Sequence, residues 1–481
     1  MRCWRPLSVL LALISSPALA QAGASPLASD ADLSSAQSQP WKPCGRTASP
    51  LTDLAPGTED PEQGRLVRGD RVLLFSSDDG VHGLEPWVST GTGGHGTSLV
   101  VDVRPGPEGS EPAGLTPVGD RVFFVADDGV HGRELWVSDG TSRGTRLVKD
   151  IWPGEEGSFP RSLAESGGLL YFAAGDSEHG RELWRSDGTP EGTYLIEDLD
   201  PGPEGTSPYL MTRGGDGSLY FVSNFQGFFM RLMRTDGKSP AVELFRRSSE
   251  GGELEALTAV GNKLYFVSST VHDDAMAELR VTSGGTPALV GSFHTIDELV
   301  AMGGRLYFSA NGEDASAGEE LWRSDGSRKG TQRVKDVWPG AEGSSPSALA
   351  VLGRRLFFSA DDGAHGRELW VSDGTASGTL LFEDLVPGAG GSSPEGLTAL
   401  QGHLFFSADT PGRGREPWGS GGTPGSTAPF DELAPGPDSS EPGGFERSGW
   451  DVFFLARDAA HGQRLWALPF RPAHECDADA R

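Results

Sequence analysis

The amino-acid sequence predicts an all-β protein that repeats one unit of about 48 residues nine times, and three observations lead to this prediction. First, a triplet of the type Leu-aromatic-Phe recurs at intervals of 42 to 50 residues. Second, short apolar, aromatic and β-branched runs, separated by Gly, Pro, Asp and Ser, fill the intervals. Third, no window of twelve residues after the N-terminal segment has a helical period of apolar residues. The triplets end at Phe75, Phe124, Phe172, Phe221, Phe266, Phe308, Phe358, Phe406 and Phe454.

The copy over residues 345–391 shows the unit most clearly. Its four extended runs are ALAVL, RLFFSA, ELWVS and TLLFEDL. Their composition is typical of β-strands. The connections contain turn residues, among them Asp362-Gly363 and Pro387-Gly388. Each unit is therefore expected to form four short strands.

Four antiparallel strands in a repeat of this length are typical of one blade of a β-propeller. A single sheet of this kind cannot bury both of its faces, whereas stacking the units around an axis buries them. The adjacent Phe357 and Phe358 point to opposite faces of their strand, as a sheet between two others requires. We therefore expect a β-propeller of about nine four-stranded blades. Eight regular blades with one collapsed unit are the alternative, because units four and five are short and lack the repeated Trp.

The sequence also predicts how the ring closes. Most units end with Asp-x-x-Pro-Gly after the fourth run, and a further copy from Asp53 to Gly57 precedes the first complete unit. The ninth unit ends near Trp466 without reaching a fourth run. We expect residues around 51 to 54 to complete the last blade, which removes two open sheet edges. The predicted propeller covers residues 50–468.

The first twenty residues have the pattern of a secretory signal peptide. A positive segment with Arg2 and Arg5 precedes the apolar run LSVLLALI, and Ala18-Leu19-Ala20 is a small-x-small cleavage site. We therefore expect the mature chain to be exported to the periplasm, the cell surface or the surroundings of the cell.

Two cysteines stay in the mature chain once Cys3 leaves with the signal peptide. Cys44 lies in a linker over residues 21–49, and Cys476 lies in a tail over residues 469–481. An exported chain meets an oxidising compartment, and ring closure would bring both ends of the chain to the last blade. We predict a Cys44–Cys476 disulfide, with two free or intermolecular thiols as the alternative.

The charge balance excludes one class of partner. The chain has 68 Asp and Glu against 40 Lys and Arg, a net charge of -28. Proteins that bind nucleic acid need a basic surface, so no nucleic-acid partner is expected. Like charges keep a repetitive β protein soluble and monomeric, although attraction of cations or of a basic partner is the functional alternative. No later apolar stretch approaches eighteen residues, so no transmembrane segment is expected.

The third run carries the consensus Glu-Leu-Trp-x-Ser-Asp-Gly-Thr, and its best copies cover residues 134–141, 182–189 and 368–375. This repeat resembles the ELWxxDGT repeat family of exported bacterial proteins, over residues 51 to about 466. The resemblance implies the propeller fold and export, and it implies no common enzymatic activity. The repeated tryptophans, which we assign to the structure of the blade, are Trp87, Trp136, Trp184, Trp322, Trp370, Trp418 and Trp466. The motif is broken at Met233, Arg280, Thr90 and Gly421.

The Ser-Asp-Gly-Thr turns are one candidate for a site. Their aspartates either hold calcium or accept backbone N–H bonds inside a turn in which Gly adopts a positive φ. Calcium loops need alternating oxygen ligands, which no copy shows. We therefore favour a structural role and predict no cofactor, with calcium as the alternative. These turn aspartates are Asp139, Asp187, Asp325 and Asp373.

The pattern Asp-Asp-Gly-x-His-Gly-x-Glu is a second candidate. A zinc site needs three or four ligands about 2 Å from the metal, and neighbouring blades lie too far apart to share them. A structural turn in which His packs on Trp is therefore favoured over a metal or ligand rim. The three complete copies contain Asp78, Asp79, His82 and Glu85, then Asp127, Asp128, His131 and Glu134, then Asp361, Asp362, His365 and Glu368.

The main functional prediction is a non-enzymatic binding scaffold for a protein, a peptide or a glycan. Its candidate contact patch is NFQGFFMR, with Phe225, Phe228, Phe229 and Met230, unless these side chains pack inside the blade. A propeller enzyme (hydrolase, lyase or dehydrogenase) with a site at the channel mouth is one alternative, and a structural envelope protein is another. No familiar catalytic motif occurs in a convincing context, so no catalytic residue is assigned.

Overall fold

The computed structural model describes residues 48–51, 55–56, 67–68, 73–91, 96–225, 227–248, 252–269, 276–449, 451–458 and 462–470. The predicted signal peptide, Cys44 and Cys476 lie outside the described residues. The predicted disulfide therefore stays a prediction.

The described residues form nine antiparallel sheets, and these are the nine blades of a β-propeller. Both the predicted fold and the predicted blade number are confirmed. Blade 1 contains β2 (Ala55–Pro56), β3 (Val67–Arg68), β4 (Leu73–Asp78), β5 (Leu84–Ser89) and β6 (Thr97–Leu99). Blade 2 contains β7 (Ala113–Val118), β8 (Arg121–Asp127), β9 (Arg133–Ser138) and β10 (Arg146–Lys149). Blade 3 contains β11 (Arg161–Ser166), β12 (Leu169–Asp176), β13 (Gly180–Ser186) and β14 (Tyr194–Glu197).

The next three blades include the two units that lack the repeated Trp. Blade 4 contains β15 (Tyr209–Arg213), β16 (Leu219–Phe225), β17 (Phe229–Thr235) and β18 (Val242–Ser248). Blade 5 contains β19 (Leu254–Val260), β20 (Lys263–Ser269), β21 (Ala277–Thr282) and β22 (Ala288–Phe293). Blade 6 contains β23 (Thr295–Met302), β24 (Arg305–Asn311), a single 3-10 turn (Ala315–Ala317), β25 (Glu319–Ser324) and β26 (Gln332–Arg333).

The last three blades complete the ring. Blade 7 contains β27 (Ser347–Leu352), β28 (Arg355–Asp361), β29 (Arg367–Ser372) and β30 (Leu380–Glu383). Blade 8 contains β31 (Glu395–Leu400), β32 (His403–Thr410), β33 (Gly414–Ser420) and β34 (Thr427–Pro429). Blade 9 contains β35 (Gly443–Ser448), β36 (Asp451–Asp458), β37 (Gly462–Pro469) and β1 (Ser49–Pro50).

Adjacent aromatic residues in the second strand of a blade pack on opposite faces, as the sequence predicts. Phe123 packs with Phe172 and Trp184 of blade 3, whereas Phe124 packs with Leu74 of blade 1. Both phenylalanines are fully buried. Burial of each such side chain contributes about 1.5–3 kcal/mol, so the repeated aromatic pairs hold neighbouring blades together.

The repeated Trp lies on the third strand, directly opposite the Phe that ends the repeated triplet, as in the pair Phe172 and Trp184. Met233 and Arg280 occupy the same register position in blades 4 and 5. These blades nevertheless keep four strands. The substitution of Trp therefore changes the packing of a blade without removing the blade.

The N-terminal strand closes the ring. Ser49 and Pro50 pair with Ala467 and Trp466 on β37, and the Leu51 N–H donates to the Leu465 carbonyl at 3.0 Å. This pairing begins two residues earlier than the predicted 51–54. It confirms that the start of the propeller supplies the fourth strand of the last blade.

The first strands of consecutive blades lie next to one another around the whole ring, so they form the wall of a central channel. Each first strand begins on the face where the second strand of its blade ends, because the two strands are antiparallel. In blade 4, for example, the Asn224 N–H donates to the Thr206 carbonyl at 2.7 Å. We call this face the mouth face. It carries the hairpins between second and third strands, whereas the Ser-Asp-Gly-Thr turns lie on the opposite face.

None of the helices in the described part of the chain has the length and hydropathy that a membrane span requires.

Candidate functional site

The Ser-Asp-Gly-Thr aspartates hold their own turns. Asp139 Oδ1 accepts the Thr141 N–H at 2.9 Å and the Thr141 hydroxyl at 2.6 Å. The hydrogen bond from the hydroxyl is the main cause that lowers the pKa of Asp139. A Cβ on Gly144 would lie 2.0 Å from Asp139 Oδ1, so the turn also needs this glycine. The same contacts recur at Asp187, Asp325 and Asp373.

The Asp–His pairs of the second motif lie in hairpins on the mouth face. Asp128 Oδ1 accepts the His131 backbone N–H at 2.8 Å, and Asp128 Oδ2 lies 2.7 Å from His131 Nδ1. The hydrogen bond to the carboxylate raises the pKa of the imidazole. The predicted structural turn therefore contains a pairing of His with Asp, and the packing of His on Trp stays a prediction. The other pairs are Asp79–His82, Asp176–His179 and Asp362–His365.

The glutamate of the same motif has a separate role, because its carboxylate holds the connection to the next blade. Glu134 is fully buried, and its Oε1 accepts the N–H groups of Trp152 at 3.0 Å and Ser158 at 2.9 Å. Its Oε2 accepts the Ser158 hydroxyl at 2.6 Å. Equivalent hydroxyl contacts are made by Glu85, Glu182, Glu320, Glu368 and Glu416. Among the described residues, no three or more His, Cys, Asp or Glu side chains are arranged to hold a metal ion.

These buried glutamates make stability depend on pH, and Glu182 gives the clearest case. Burial raises its pKa from 4.5 to about 7. Its contribution to the free energy of unfolding is therefore fully present below about pH 4.5, the unfolded pKa, and is lost as the pH rises through about 7. The loss is about 3 kcal/mol at most, since one pKa unit corresponds to about 1.4 kcal/mol.

Urea unfolding at pH 5 and pH 8 checks this prediction. We expect Glu182→Gln to reduce the difference between the two free energies of unfolding, because Gln does not titrate. Glu191→Gln, an exposed position on the opposite face, is the matched control and should leave the difference unchanged. Equal pH dependence in the Glu182 variant and the wild type would contradict the assignment.

Blades 6 and 8 differ at the channel mouth in a way that the repeat does not explain. In blade 8, Glu395 lies opposite Ser407, and Arg415 Nη2 lies 3.3 Å from Glu395 Oε1. Arg415 Nη1 also donates to Ser407 Oγ at 3.2 Å. This carboxylate is therefore neutralised by an arginine of its own blade.

The equivalent residues of blade 6 are Asp297, Ser309 and Glu319. Asp297 lies opposite Ser309, and Glu319 occupies the register position of Arg415. The Ser309 hydroxyl donates to Glu319 Oε1 at 3.0 Å. Blade 6 thus places two carboxylates where blade 8 places an ion pair.

The two carboxylates of blade 6 differ in their electrostatics. Solvent reaches Asp297 from the channel, yet desolvation by the surrounding wall raises its pKa, and the charge of Glu255 raises it further. Desolvation and the charge of Asp297 also raise the pKa of Glu319. The Ser309 hydroxyl and Arg367 oppose this rise and favour the ionised form of Glu319. Both carboxyl groups therefore have raised pKa values, and a hydroxyl group and an arginine counteract the rise only at Glu319.

Blades 4 and 5 also carry residues of this acidic region on the mouth face. Glu255 Oε1 accepts the Ser269 hydroxyl at 2.8 Å. Burial, together with the charges of Glu253 and Glu255, raises the pKa of Tyr209 to about 12. Tyr209 therefore stays a neutral phenol next to these carboxylates. We call Tyr209, Glu253, Glu255, Asp297 and Glu319 the mouth cluster.

Glu298 is adjacent to Asp297 but is not available for chemistry. Its carboxylate accepts the N–H groups of Ala348 and Leu349 in blade 7, each at 2.8 Å. Its φ is 50° at the bulge of β23. Glu298 therefore links two blades.

The four residues of the predicted contact patch lie in the blade 4 hairpin on the mouth face. Phe228 is 62% exposed and Phe229 is 36% exposed. Phe225 is half-buried, with the Arg231 guanidinium carbon 4.3 Å from the centre of its ring. Met230 is half-buried against the core of blades 4 and 5. Two of the four side chains thus reach solvent, and two pack against protein.

The residues of the mouth cluster were not identified from the sequence. A signal was present, because blade 6 reads Glu-Glu-Leu-Trp from Glu319 where three other repeats read Arg-Glu-Leu-Trp. Asp297 is 22 residues upstream of Glu319 and belongs to no motif. Recognising the pair requires the strand register of two blades.

No protein-family model matches the chain, and no curated protein matches it. Similar solved structures include a puromycin-hydrolyzing peptidase from Mycobacterium tuberculosis, with 16% identity and a TM-score of 0.39 over 72% of this chain and 58% of that chain. A structure from a study of two prolyl endopeptidases has 12% identity and a TM-score of 0.41, over 73% of this chain and 54% of that chain. The β-propeller domain of the Trilobed protease from Pyrococcus furiosus has 13% identity and a TM-score of 0.35, over 66% of this chain and 97% of that domain.

These neighbours correct the main functional prediction. They are peptidases or a domain of one, and so differ from the expected non-enzymatic scaffold and are nearer to its alternative, a propeller enzyme. The chain spans less than two thirds of the first peptidase chains that it matches. At these identities and TM-scores the likeness carries no argument about the activity of this chain, so the chemistry has to be argued from the mouth cluster.

Proposed function

We propose that the protein is a hydrolase that uses the carboxylates of Asp297 and Glu319 as an acid–base pair at the channel mouth. One observation carries the proposal, namely that blade 6 replaces the ion pair of blade 8 with two carboxylic groups. Two neighbouring carboxyl groups, one acting as acid and the other as base, carry out hydrolysis in several classes of enzyme.

The environments of the two groups assign their roles. Protonated Asp297 gives its proton to the leaving group of the substrate, because desolvation and the charge of Glu255 favour its neutral form. Ionised Glu319, supported by the Ser309 hydroxyl, takes a proton from the attacking water. Water reaches Asp297 through the channel, on whose wall it is exposed. After the bond breaks, proton transfer from Glu319 to Asp297 through solvent restores the starting state.

Restoring the ion pair of the repeat tests the proposal. Glu319→Arg should bring a guanidinium next to Asp297 and lower the pKa of that carboxyl, so that its protonated fraction falls. We expect hydrolysis to fall at least about 100-fold. We expect the free energy of unfolding to stay equal or to rise, because a repulsive contact is removed. A panel of chromogenic glycosides, nitrophenyl esters and fluorogenic peptides serves as substrate.

Glu191→Arg makes the same change of charge on the opposite face and should leave hydrolysis unchanged. Wild-type protein that hydrolyses no member of the panel would overturn the proposal. Full activity in the Glu319 variant would overturn it as well.

A further inference from the structure

We propose that the substrate is a basic polypeptide segment, and that one of its apolar residues lies on the exposed phenylalanines of the blade 4 hairpin. This inference rests on the hydrolase function proposed above and names the substrate of that site. Three observations support it, namely the exposed aromatic residues of the hairpin, its contact with Tyr209 of the mouth cluster, and the absence of a described ion pair to Glu253 and Glu255.

The blade 4 hairpin differs from the hairpins of the regular repeats. The regular hairpins carry the polar Asp–His pair, whereas this one carries Phe228 and Phe229 with 62% and 36% of their surface exposed. The Arg246 guanidinium carbon lies 5.4 Å from the centre of the Phe229 ring. Arg246 is itself held by Glu243, with Nε and Nη2 donating at 2.9 and 2.8 Å. The hairpin thus presents a fixed aromatic surface to solvent, and such a surface is typical of a contact site.

The hairpin is connected to the mouth cluster through Tyr209 and Met230. The Tyr209 hydroxyl donates to Met230 Sδ at 3.5 Å, and Met230 is the next residue after Phe229. Tyr209 also lies close enough to Glu253 and Glu255 for their charges to raise its pKa. The order along the mouth is therefore aromatic hairpin, then Glu253 and Glu255, then the acid–base pair of blade 6. A chain that lies across the mouth passes all three.

The charges of Glu253 and Glu255, which lie between the hairpin and blade 6, indicate which kind of peptide would bind. No described Lys, Arg or His side chain forms an ion pair with Glu253 or Glu255. The protein as a whole has a net charge of -28, which attracts cations toward the mouth and repels anions. A Lys or Arg side chain of the substrate would neutralise these carboxylates, while the flanking apolar residue covers Phe228 and Phe229. Charge complementarity therefore favours a basic peptide over an acidic peptide or an anionic glycan.

Peptide binding and cleavage test this inference. The probe is a fluorescent twelve-residue peptide in which Lys and Leu alternate, compared with peptides that carry Glu for Lys or Ser for Leu, and with an uncharged oligosaccharide. We expect the Lys–Leu peptide to bind best, and we expect its binding to weaken with added salt. The double variant Phe228→Ala/Phe229→Ala should raise KM about tenfold and leave kcat unchanged, because the lost contact lies away from the reacting bond.

Val130→Ala is the matched control, since Val130 is a 63% exposed apolar residue in the blade 2 hairpin. Unchanged KM in the double variant, or equal binding of the acidic peptide or the oligosaccharide, would overturn the inference. Failure of the proposed function has a different signature, because an Asp297→Asn variant that still cleaves the Lys–Leu peptide refutes the acid–base pair and leaves the binding result standing.

Discussion

Asp297→Asn is expected to lower kcat for hydrolysis about 10²- to 10⁴-fold, the range that a positioned proton donor typically contributes. Asn keeps the shape of the side chain and cannot donate the proton that the leaving group needs. The fold should be retained, because Asp297 is exposed on the channel wall. Initial rates on the most reactive substrate of the hydrolysis panel measure the effect.

The dependence of kcat on pH distinguishes the loss of a proton donor from a general change in the structure of the channel mouth. In the wild type, kcat should fall as the pH rises through the raised pKa of Asp297, because the ionised group has no proton to give. The Asn variant should lack this fall. Glu395→Gln is the matched control, since Glu395 occupies the equivalent position in blade 8 and is paired with Arg415. A similar loss of activity in both variants would contradict the special role of blade 6.

Leu51→Ala is expected to lower the free energy of unfolding by about 2–5 kcal/mol, the usual cost of truncating a fully buried Leu. Leu51 is 1% exposed and packs with Leu73, Phe75 and Trp87 of blade 1 and with Phe453 of blade 9. The cavity therefore forms at the seam where the two ends of the propeller meet. Thermal or urea unfolding of the purified protein measures the change.

Leu380→Ala is the control for this second prediction, because Leu380 is 52% exposed on the fourth strand of blade 7. It should change the free energy of unfolding by less than about 0.5 kcal/mol. A stronger effect at Leu380 than at Leu51 would show that the seam contributes little to the stability of the ring.

The fold could be predicted because it repeats. Each copy of the Phe triplet and of Trp predicts the same strand pattern. A unit in which the pattern is weak can therefore still be assigned from its neighbours. Met233 and Arg280 illustrate this, since both blades form although the most visible residue of the motif is replaced. The closing strand could also be predicted, because a surplus fourth strand at one end and a missing one at the other leave one simple solution.

The candidate site could not be predicted, for the opposite physical reason. Chemistry at the mouth depends on a departure from the repeat, and a single Glu in place of Arg is easily taken for variation at the surface. The importance of this Glu can be recognised only from the strand register, which places Asp297 opposite Ser309, whose hydroxyl donates to Glu319. The repeated acids, by contrast, were visible in the sequence, and the structure uses Glu134 and its equivalents to hold loops.

The pairing of Ser49 with Ala467 has a consequence for the order of folding. Nine blades in an open row would share eight interfaces between neighbouring blades. The ninth interface, between blades 9 and 1, forms only when the ring closes. During synthesis the nascent chain can stack its early blades, but the N-terminal strand β1 lacks its partner strand β37 until almost the whole polypeptide has emerged. In a circular permutant that begins between two other blades and joins the native ends, β37 and β1 would follow each other in the chain. Their pairing would then be a local contact.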